Sequence, residues 1–247
     1  MWGQTEMDTI VEVKELSKNY GRLRALDKLN FNIYSGEIFG LLGPNGAGKS
    51  TFISILTTLL KPSSGDILIK GFSAARQPDK IKAGIGYVPQ DIALYPVLSG
   101  MDNLNFWAGV YGLRGDLKRQ RIEEALAVVR LGDRARDRVE NYSGGMKRRL
   151  NIAVALLHHP EILVMDEPTV GVDIQSRKYI MDGIKELKNK GRTIVFTSHY
   201  IDEMEALCDR LAIIDRGIIK SMGTPKELKE IYETDRIENI MLNLMNG

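Results

Sequence analysis

Residues 43–50 read GPNGAGKS, directly after the apolar run IFGLL (residues 38–42) and directly before TFISILTTLL (residues 51–60). The octet has the spacing G-x-x-x-x-G-K-[ST]. Around it the pattern is a short apolar run, a glycine turn, then apolar residues at helical period: strand, loop, helix. Glycines in such a loop let successive backbone amides turn inward around a phosphate, where a side chain would block approach. Lys49 would set its charge on the β and γ oxygens of a nucleotide, and Ser50 would offer a hydroxyl to Mg²⁺. The helix behind the loop adds the positive end of its dipole. The bland alternative is a glycine-rich turn with a chance lysine, and the rest of the chain has to decide.

A second stretch, ILVMDEP (residues 162–168), bears on that choice. Four apolar residues make a buried strand, and Asp166 emerges at its C-terminal end, where open α/β sheets bind ligands. An Asp there holds Mg²⁺, usually through water, and Glu167 is placed to polarise a water attacking the γ-phosphate.

Working outward, Leu29, Phe31 and Ile33 alternate with polar neighbours as a strand would. Strand texture recurs at residues 66–70, 85–88, 162–165 and 193–197, and the helix after Lys49 is expected to run to the break at Lys61 and Pro62. From about residue 91 to 157 the texture is mostly helical. Ser99 caps one helix there, and Ile122, Leu126 and Val129 keep helical spacing up to Gly132. Another helix is expected from about Asp173. Strands alternating with helices indicate a parallel sheet covered on both faces, with the helical middle inserted into it.

The chain has 247 residues, 43% hydrophobic and 27% charged, with a formal net charge of +2. That is enough for one sizeable core, and it argues against a dedicated nucleic-acid binder. No apolar run reaches the roughly 18 residues of a membrane span. Residues 1–6 have neither the basic nor the apolar stretch of a leader. The single cysteine, Cys208, excludes an internal disulfide and fits a reducing compartment, so a cytosolic protein is expected.

A third stretch, ENYSGGMKRRL (residues 140–150), reads as a serine-glycine turn feeding a helix, which is an anion cradle. Together with the two preceding stretches, its YSGGM resembles the signature of the ATP-binding subunit of an ABC transporter, over nearly the whole chain. The resemblance implies an α/β P-loop NTPase (RecA-like) core with a mostly parallel sheet. It also implies an N-terminal antiparallel β subdomain and an inserted helical subdomain at about 91–157. One ATP-binding domain would span 1–228, with an amphipathic tail at 229–247.

By that resemblance, ATP is held by Gly43, Pro44, Asn45, Gly46, Ala47, Gly48, Lys49, Ser50 and Thr51, with Tyr20 stacked on adenine. Gln90, in YVPQD, touches Mg²⁺ alongside Ser50 and Asp166 and connects to a membrane partner. Lys49, Glu167 and the switch histidine His199, in TSHY, carry the hydrolysis. Residues 170–173 (VGVD) form the loop that crosses a dimer interface, with Asp173 its acid.

The resemblance also explains why one chain has two cradles. A helix N-terminus contributes ~0.3–1 kcal/mol to an anion, up to about 2 when protected. Even millimolar affinity needs about 4 kcal/mol. Ser143, Gly144 and Gly145 are therefore expected to close over ATP held by another copy of the chain, or by a related subunit. Tyr142 and Met146 depart from the commoner Leu and Gln. The form YSGGMKRR, with residues 93–106 (ALYPVLSGMDNLNF), resembles the drug, antibiotic and polysaccharide exporter branch. The expected function is hydrolysis of MgATP at the cytoplasmic face of a membrane, driving export through a separate permease. An importer subunit or a scaffolding ATPase of an envelope complex are the alternatives. A repair-type ATPase would need a long coiled coil between Lys49 and Ser143, and a translation-type one a second cassette.

Three further expectations are bland. Lys147, Arg148 and Arg149 read as a solvated helix face. His158 and His159 read as helix-terminal residues near a C-terminal dipole. Ile237, Ile240, Met241, Leu244 and Met245 fall at helical spacing in a tail that packs on its own domain or on a copy of itself, with docking to a partner as the alternative.

Overall fold

The structure, a computed structural model, describes residues 8–246. The leader reading of residues 1–6 lies outside them. The chain opens with long strands β1 (Thr9–Tyr20) and β2 (Leu23–Tyr34). Then β3 (Ile38–Leu42) leads into α1 (Lys49–Leu56), followed by β4 (Ser64–Ile69), β5 (Phe72–Ser73), α2 (Pro78–Lys82) and β6 (Ile85–Val88). Three helices come next: α3 (Gly100–Val110), α4 (Gly115–Val129) and α5 (Gly144–Leu156). Alternation resumes with β7 (Ile162–Asp166), α6 (Ile174–Asn189), β8 (Thr193–Ser198), α7 (Ile201–Leu207) and β9 (Arg210–Asp215). The remaining elements are β10 (Ile218–Gly223), α8 (Pro225–Ile231) and α9 (Ile237–Asn246).

Two sheets result. An antiparallel one has the order β2-β1-β4-β5, and a six-stranded one the order β10-β9-β3-β8-β7-β6. In the larger sheet only β10 runs antiparallel; β9, β3, β8, β7 and β6 are parallel. Because a strand alternates faces, the unbroken apolar runs divide themselves between two cores. Ile38 and Leu42 of β3, Leu163 and Met165 of β7, and Ile194 and Phe196 of β8 face the helical side. Phe39 and Leu41, Ile162 and Val164, and Val195 face the space between the two sheets, where α1 and Phe52 also pack. Phe39, Phe52 and Phe196 are among the largest fully buried side chains. Each contributes ~1.5–3 kcal/mol of apolar burial.

The first helix is shorter than its apolar pattern implies. It ends at Leu56, Thr57 Oγ1 donates back to the Ile53 carbonyl at 2.8 Å, and Thr58 turns to φ 62°. A β-branched pair that satisfies the helix end locally stops the period early. Ser99 caps α3, accepting from Asp102 N at 3.0 Å. Arg130 at φ 53°, rather than Gly132, ends α4. In the tail, α8 runs across position 228, and Ile237 and Ile240 of α9 are fully buried in the helical-side core.

Parallel direction is what makes a site. The C-terminal ends of β6, β7, β8 and β3 all finish on one edge of the sheet. Gln90, Asp166 with Glu167, His199 and the loop at Gly43 therefore emerge side by side from chain segments far apart in sequence.

Candidate nucleotide site

The loop at residues 43–50 closes over that edge because its glycines permit it. Gly48 sits at φ +111°, and a Cβ there would lie 2.6 Å from the Ala25 carbonyl oxygen and 2.8 Å from Leu26. Only a hydrogen fits, and it fits only in this conformation. Lys49 opens α1 and folds back under the loop. Its Nζ donates to the carbonyls of Gly43 at 2.7 Å and Pro44 at 3.0 Å, with the side chain 5% exposed. Burial pushes the Lys49 pKa down, and the nearby Glu167 and Asp166 carboxylates oppose the shift.

Above the loop is an open cleft of about 290 Å³. It is lined by Tyr20, Leu23 and Ala25 on one side, by Asn45, Gly46, Gly48, Lys49, Ser50 and Thr51 along its floor, and by Gln90 and Glu167 at the far end. Tyr20 is half exposed at the rim, with Lys18 Nζ 5.4 Å from its ring centroid. Glu167 turns out of β7 at φ 48°, a left-handed conformation unusual for a non-glycine residue. That turn gathers three partners around one carboxylate. Lys49 Nζ stands 3.8 Å from Oε1, His199 Nδ1 3.3 Å from Oε2, and Gln90 Nε2 3.4 Å from Oε2.

Asp166 is 4% exposed, and its Oδ1 accepts from Thr197 Oγ1 at 2.7 Å. The same hydroxyl accepts from Glu167 N at 3.0 Å. Thr197 is a polar residue in an apolar strand, a visible signal that the sequence reading passed over.

The serine-glycine turn at residues 143–145 does feed a helix, but it is not part of this cleft. Ser143 caps α5, its Oγ accepting from Met146 N at 3.2 Å, and Ser143 and Gly144 are exposed. None of Ser143, Gly144 and Gly145 is among the cleft residues. They back onto the loop at residues 170–173. A Cβ on Gly145 would strike Ser176 Oγ and Cβ and approach Asp173 Oδ2 to 2.8 Å. Asp173 caps α6, accepting from Ser176 N at 2.8 Å, and this hydrogen bond holds its carboxyl below the ordinary range.

The reading of residues 147–149 as a solvated face is corrected for two of the three. Arg148 and Arg149 are 6% and 7% exposed rather than on a solvated face. Arg148 donates to the Pro89 carbonyl at 2.9 Å, tying the helix of the second cradle to the residue before Gln90. Arg149 donates to the carbonyls of Val129 and Arg130 at 2.9 and 3.0 Å, satisfying the end of α4, and lies over the Tyr179 ring. A run of three cations gives no hint that two of them fill orphaned carbonyls inside. His158 stands two residues past the end of α5 and is half-buried, bonded through Nε2 to the Ile85 carbonyl at 2.9 Å and stacked on Tyr111.

The family profile described as "ABC transporter" matches residues 26–170. The chain is 45% identical over 237 residues to the linearmycin resistance ATP-binding protein LnrL of Bacillus subtilis, covering 96% of this chain and 76% of that one. It is 38% identical over 234 residues to the daunorubicin resistance ATP-binding protein DrrA3 of Streptomyces coeruleorubidus, covering 95% and 74%. A dimeric post-hydrolysis ATP-binding cassette solved with ADP and Pi superposes with a TM-score of 0.78 at 29% identity, over 87% of this chain and 98% of that one. With a family profile matched over residues 26–170 and a relative 45% identical over 96% of this chain, the chain belongs to the ABC transporter family and is an ATPase of that family.

Proposed function

We propose that two copies of this chain, or this chain and a related subunit, close head to tail around two MgATP and hydrolyse them to drive export through a separate membrane permease. The observation that carries this reading is the separation of the two cradles. Ser143 and Gly144 are exposed and Gly145 is buried against Ser176 and Asp173, away from the cleft that Lys49 closes. A cradle too weak to hold ATP alone has a use as the lid of another copy's site.

Within one site, the loop amides and Lys49 would hold the β and γ phosphates. The left-handed turn at Glu167 aims its carboxylate at the same end of the cleft, where it would take a proton from the attacking water. Water oxygen bonds to the γ-phosphorus, the bond to the β-bridging oxygen breaks, and ADP leaves with inorganic phosphate. His199, 3.3 Å from Glu167, would contact the γ-phosphate and fix the carboxylate.

The donor set suits Mg²⁺. Ser50 supplies a hydroxyl, Gln90 an amide oxygen, and Asp166 keeps Oδ2 outside its bond to Thr197. No group of three or more His, Cys, Asp or Glu that could hold a metal occurs among the described residues, and Mg²⁺ asks for few protein ligands beside phosphate and water. When bound, it would neutralise charge on the β and γ oxygens.

No helix among the described residues is long and apolar enough to cross a membrane. A surface beside Gln90 suits a membrane partner. Tyr95, Val97, Phe106 and Val110 are exposed by 43%, 69%, 44% and 60% on α3 and the segment before it. Clusters of this kind mark interaction sites. Drug or antibiotic export is favoured because the names of LnrL and DrrA3 are resistance names. Light scattering on Glu167→Gln protein, with and without MgATP, tests the pairing. An ATP-dependent doubling of mass supports closure by two copies; a monomer that binds ATP and never doubles requires a different second subunit. Accumulation assays with the co-purified permease distinguish export from import.

A further inference from the structure

Glu203, in α7, is 1% exposed and lies outside the cleft, yet three segments of the site converge on it. Its Oε2 accepts from Thr169 Oγ1 at 2.7 Å and from Ser198 Oγ at 3.1 Å. Its Oε1 pairs with Arg177 Nε at 2.5 Å. Thr169 is two residues after Glu167, and Ser198 is the residue before His199. Arg177 lies one turn after Asp173 in α6, and its N–H donates to the Asp173 carbonyl at 2.9 Å.

The contacts close into a ring. The Arg177 guanidinium lies 4.8 Å from the centroid of Tyr200, whose ring is 4.3 Å from that of His199, and Tyr200 N donates to Ser198 Oγ at 3.0 Å. A buried carboxylate is costly unless paired and hydrogen-bonded, so its partners are held in one arrangement. Two hydroxyls sharing a single carboxylate oxygen fix the spacing between the segment that carries Glu167 and the segment that carries His199.

Resting on the assignment of Glu167 and His199 to hydrolysis, we propose that Glu203 is a positioning residue. It couples the loop at residues 170–173 to the switch histidine. Movement of that loop when a second copy arrives would pass through Thr169 and Arg177 to Glu203, and through Ser198 to His199. The distance between His199 and Glu167 is then set by the state of the interface rather than by the nucleotide alone.

The test is a double-mutant cycle on the full chain, read as kcat and MgATP Kd. Glu203→Gln keeps the shape and removes the charge, and its amide has one acceptor end where the carboxylate has two, so either Arg177 or the two hydroxyls lose their acceptor. In the otherwise wild-type chain kcat is expected to fall about 10- to 100-fold, the scale of a small misplacement at a reacting centre, with Kd little changed. In a His199→Ala background the same substitution is expected to cost nothing further, because its effect passes through His199. Equal losses in both backgrounds, or kcat, MgATP affinity and Tm all falling together, overturn the inference and leave a structural role. If Glu203→Gln fails to fold, Thr169→Val and Thr169→Ser give the same reading: Val is expected to lose rate and Ser to restore it, and rate loss in both overturns the inference. Absence of MgATP hydrolysis in the wild-type chain overturns the functional reading itself, so the two failures are distinguishable.

Discussion

Lys49 and Glu167 face each other across the floor of the cleft, Nζ to Oε1 at 3.8 Å, with side chains 5% and 9% exposed. At that burial Lys49 needs compensation, and it takes it from two carbonyls of its own loop and from the carboxylate. In the proposed site, a γ-phosphate entering the cleft would offer the same cation a stronger acceptor, and the pair would exchange one anion for another without Lys49 leaving its place.

Glu167→Gln changes an acceptor into an amide of nearly the same shape. The loop that would bind phosphate is untouched, so MgATP affinity is expected to stay within a few-fold of wild type, while phosphate release falls by at least the ~10²–10⁴ typical of a lost general base. Steady-state phosphate release and equilibrium binding measured on one preparation check this. Near wild-type hydrolysis would remove Glu167 from the role of base.

Lys49→Ala should lose on both counts. It removes the side chain that donates to the Gly43 and Pro44 carbonyls, so nucleotide binding is expected to weaken and about 3 kcal/mol of transition-state stabilisation to go with it, by analogy with a lost oxyanion donor. The ratio of kcat/KM to wild type gives that figure directly. An unchanged rate and affinity would contradict the phosphate-loop reading of residues 43–50.

Gly145→Ala separates the two cradles. The added methyl meets Ser176 and Asp173, so the loop at residues 170–173 has to shift, at ~1–3 kcal/mol for overpacking. The cleft around Lys49 does not include Gly145, so MgATP binding to the single chain is expected to hold. ATP-dependent dimerisation and hydrolysis are expected to fall more than about tenfold, the equivalent of ~1.4 kcal/mol. Light scattering beside a binding titration reads both; full activity would mean the second cradle tolerates the displaced loop.

How legible was this in the residues? The sheet and the cleft were, because strand-length apolar runs ending in GPNGAGKS, DEP and TSH state both the element and the atom it delivers. Arg148, Arg149 and Glu203 were not. Arg148 and Arg149 read as part of a solvated face and Glu203 carries no motif, and each is buried where a carbonyl or hydroxyl from a distant segment meets it. Pattern reports which face of a helix is apolar; it does not report that Pro89 O or Thr169 Oγ1 waits on the other side. The end of α1 was misread for a local reason, the back-bonded Thr57.

A last prediction concerns acid. Burial lowers the His158 pKa from 6.5, against the pull of its bond to the Ile85 carbonyl. Between the lowered value and 6.5 the unfolded chain binds more protons than the folded one, so unfolding free energy rises with pH across that window. The contribution is fully present above pH 6.5 and is lost as pH falls through the folded pKa. Glu37 acts the other way: burial raises its pKa above 4.5, and stability tied to it falls as pH rises through the folded value. Only a comparison of variants isolates the histidine. His158→Gln keeps an N–H for the Ile85 carbonyl and has no titrating group. Its Tm is expected to fall less steeply than that of wild type as pH drops below 6.5. Differential scanning fluorimetry from pH 8 to pH 5 measures it, and parallel Tm curves for the two proteins would mean that His158 is not buried neutral against β6.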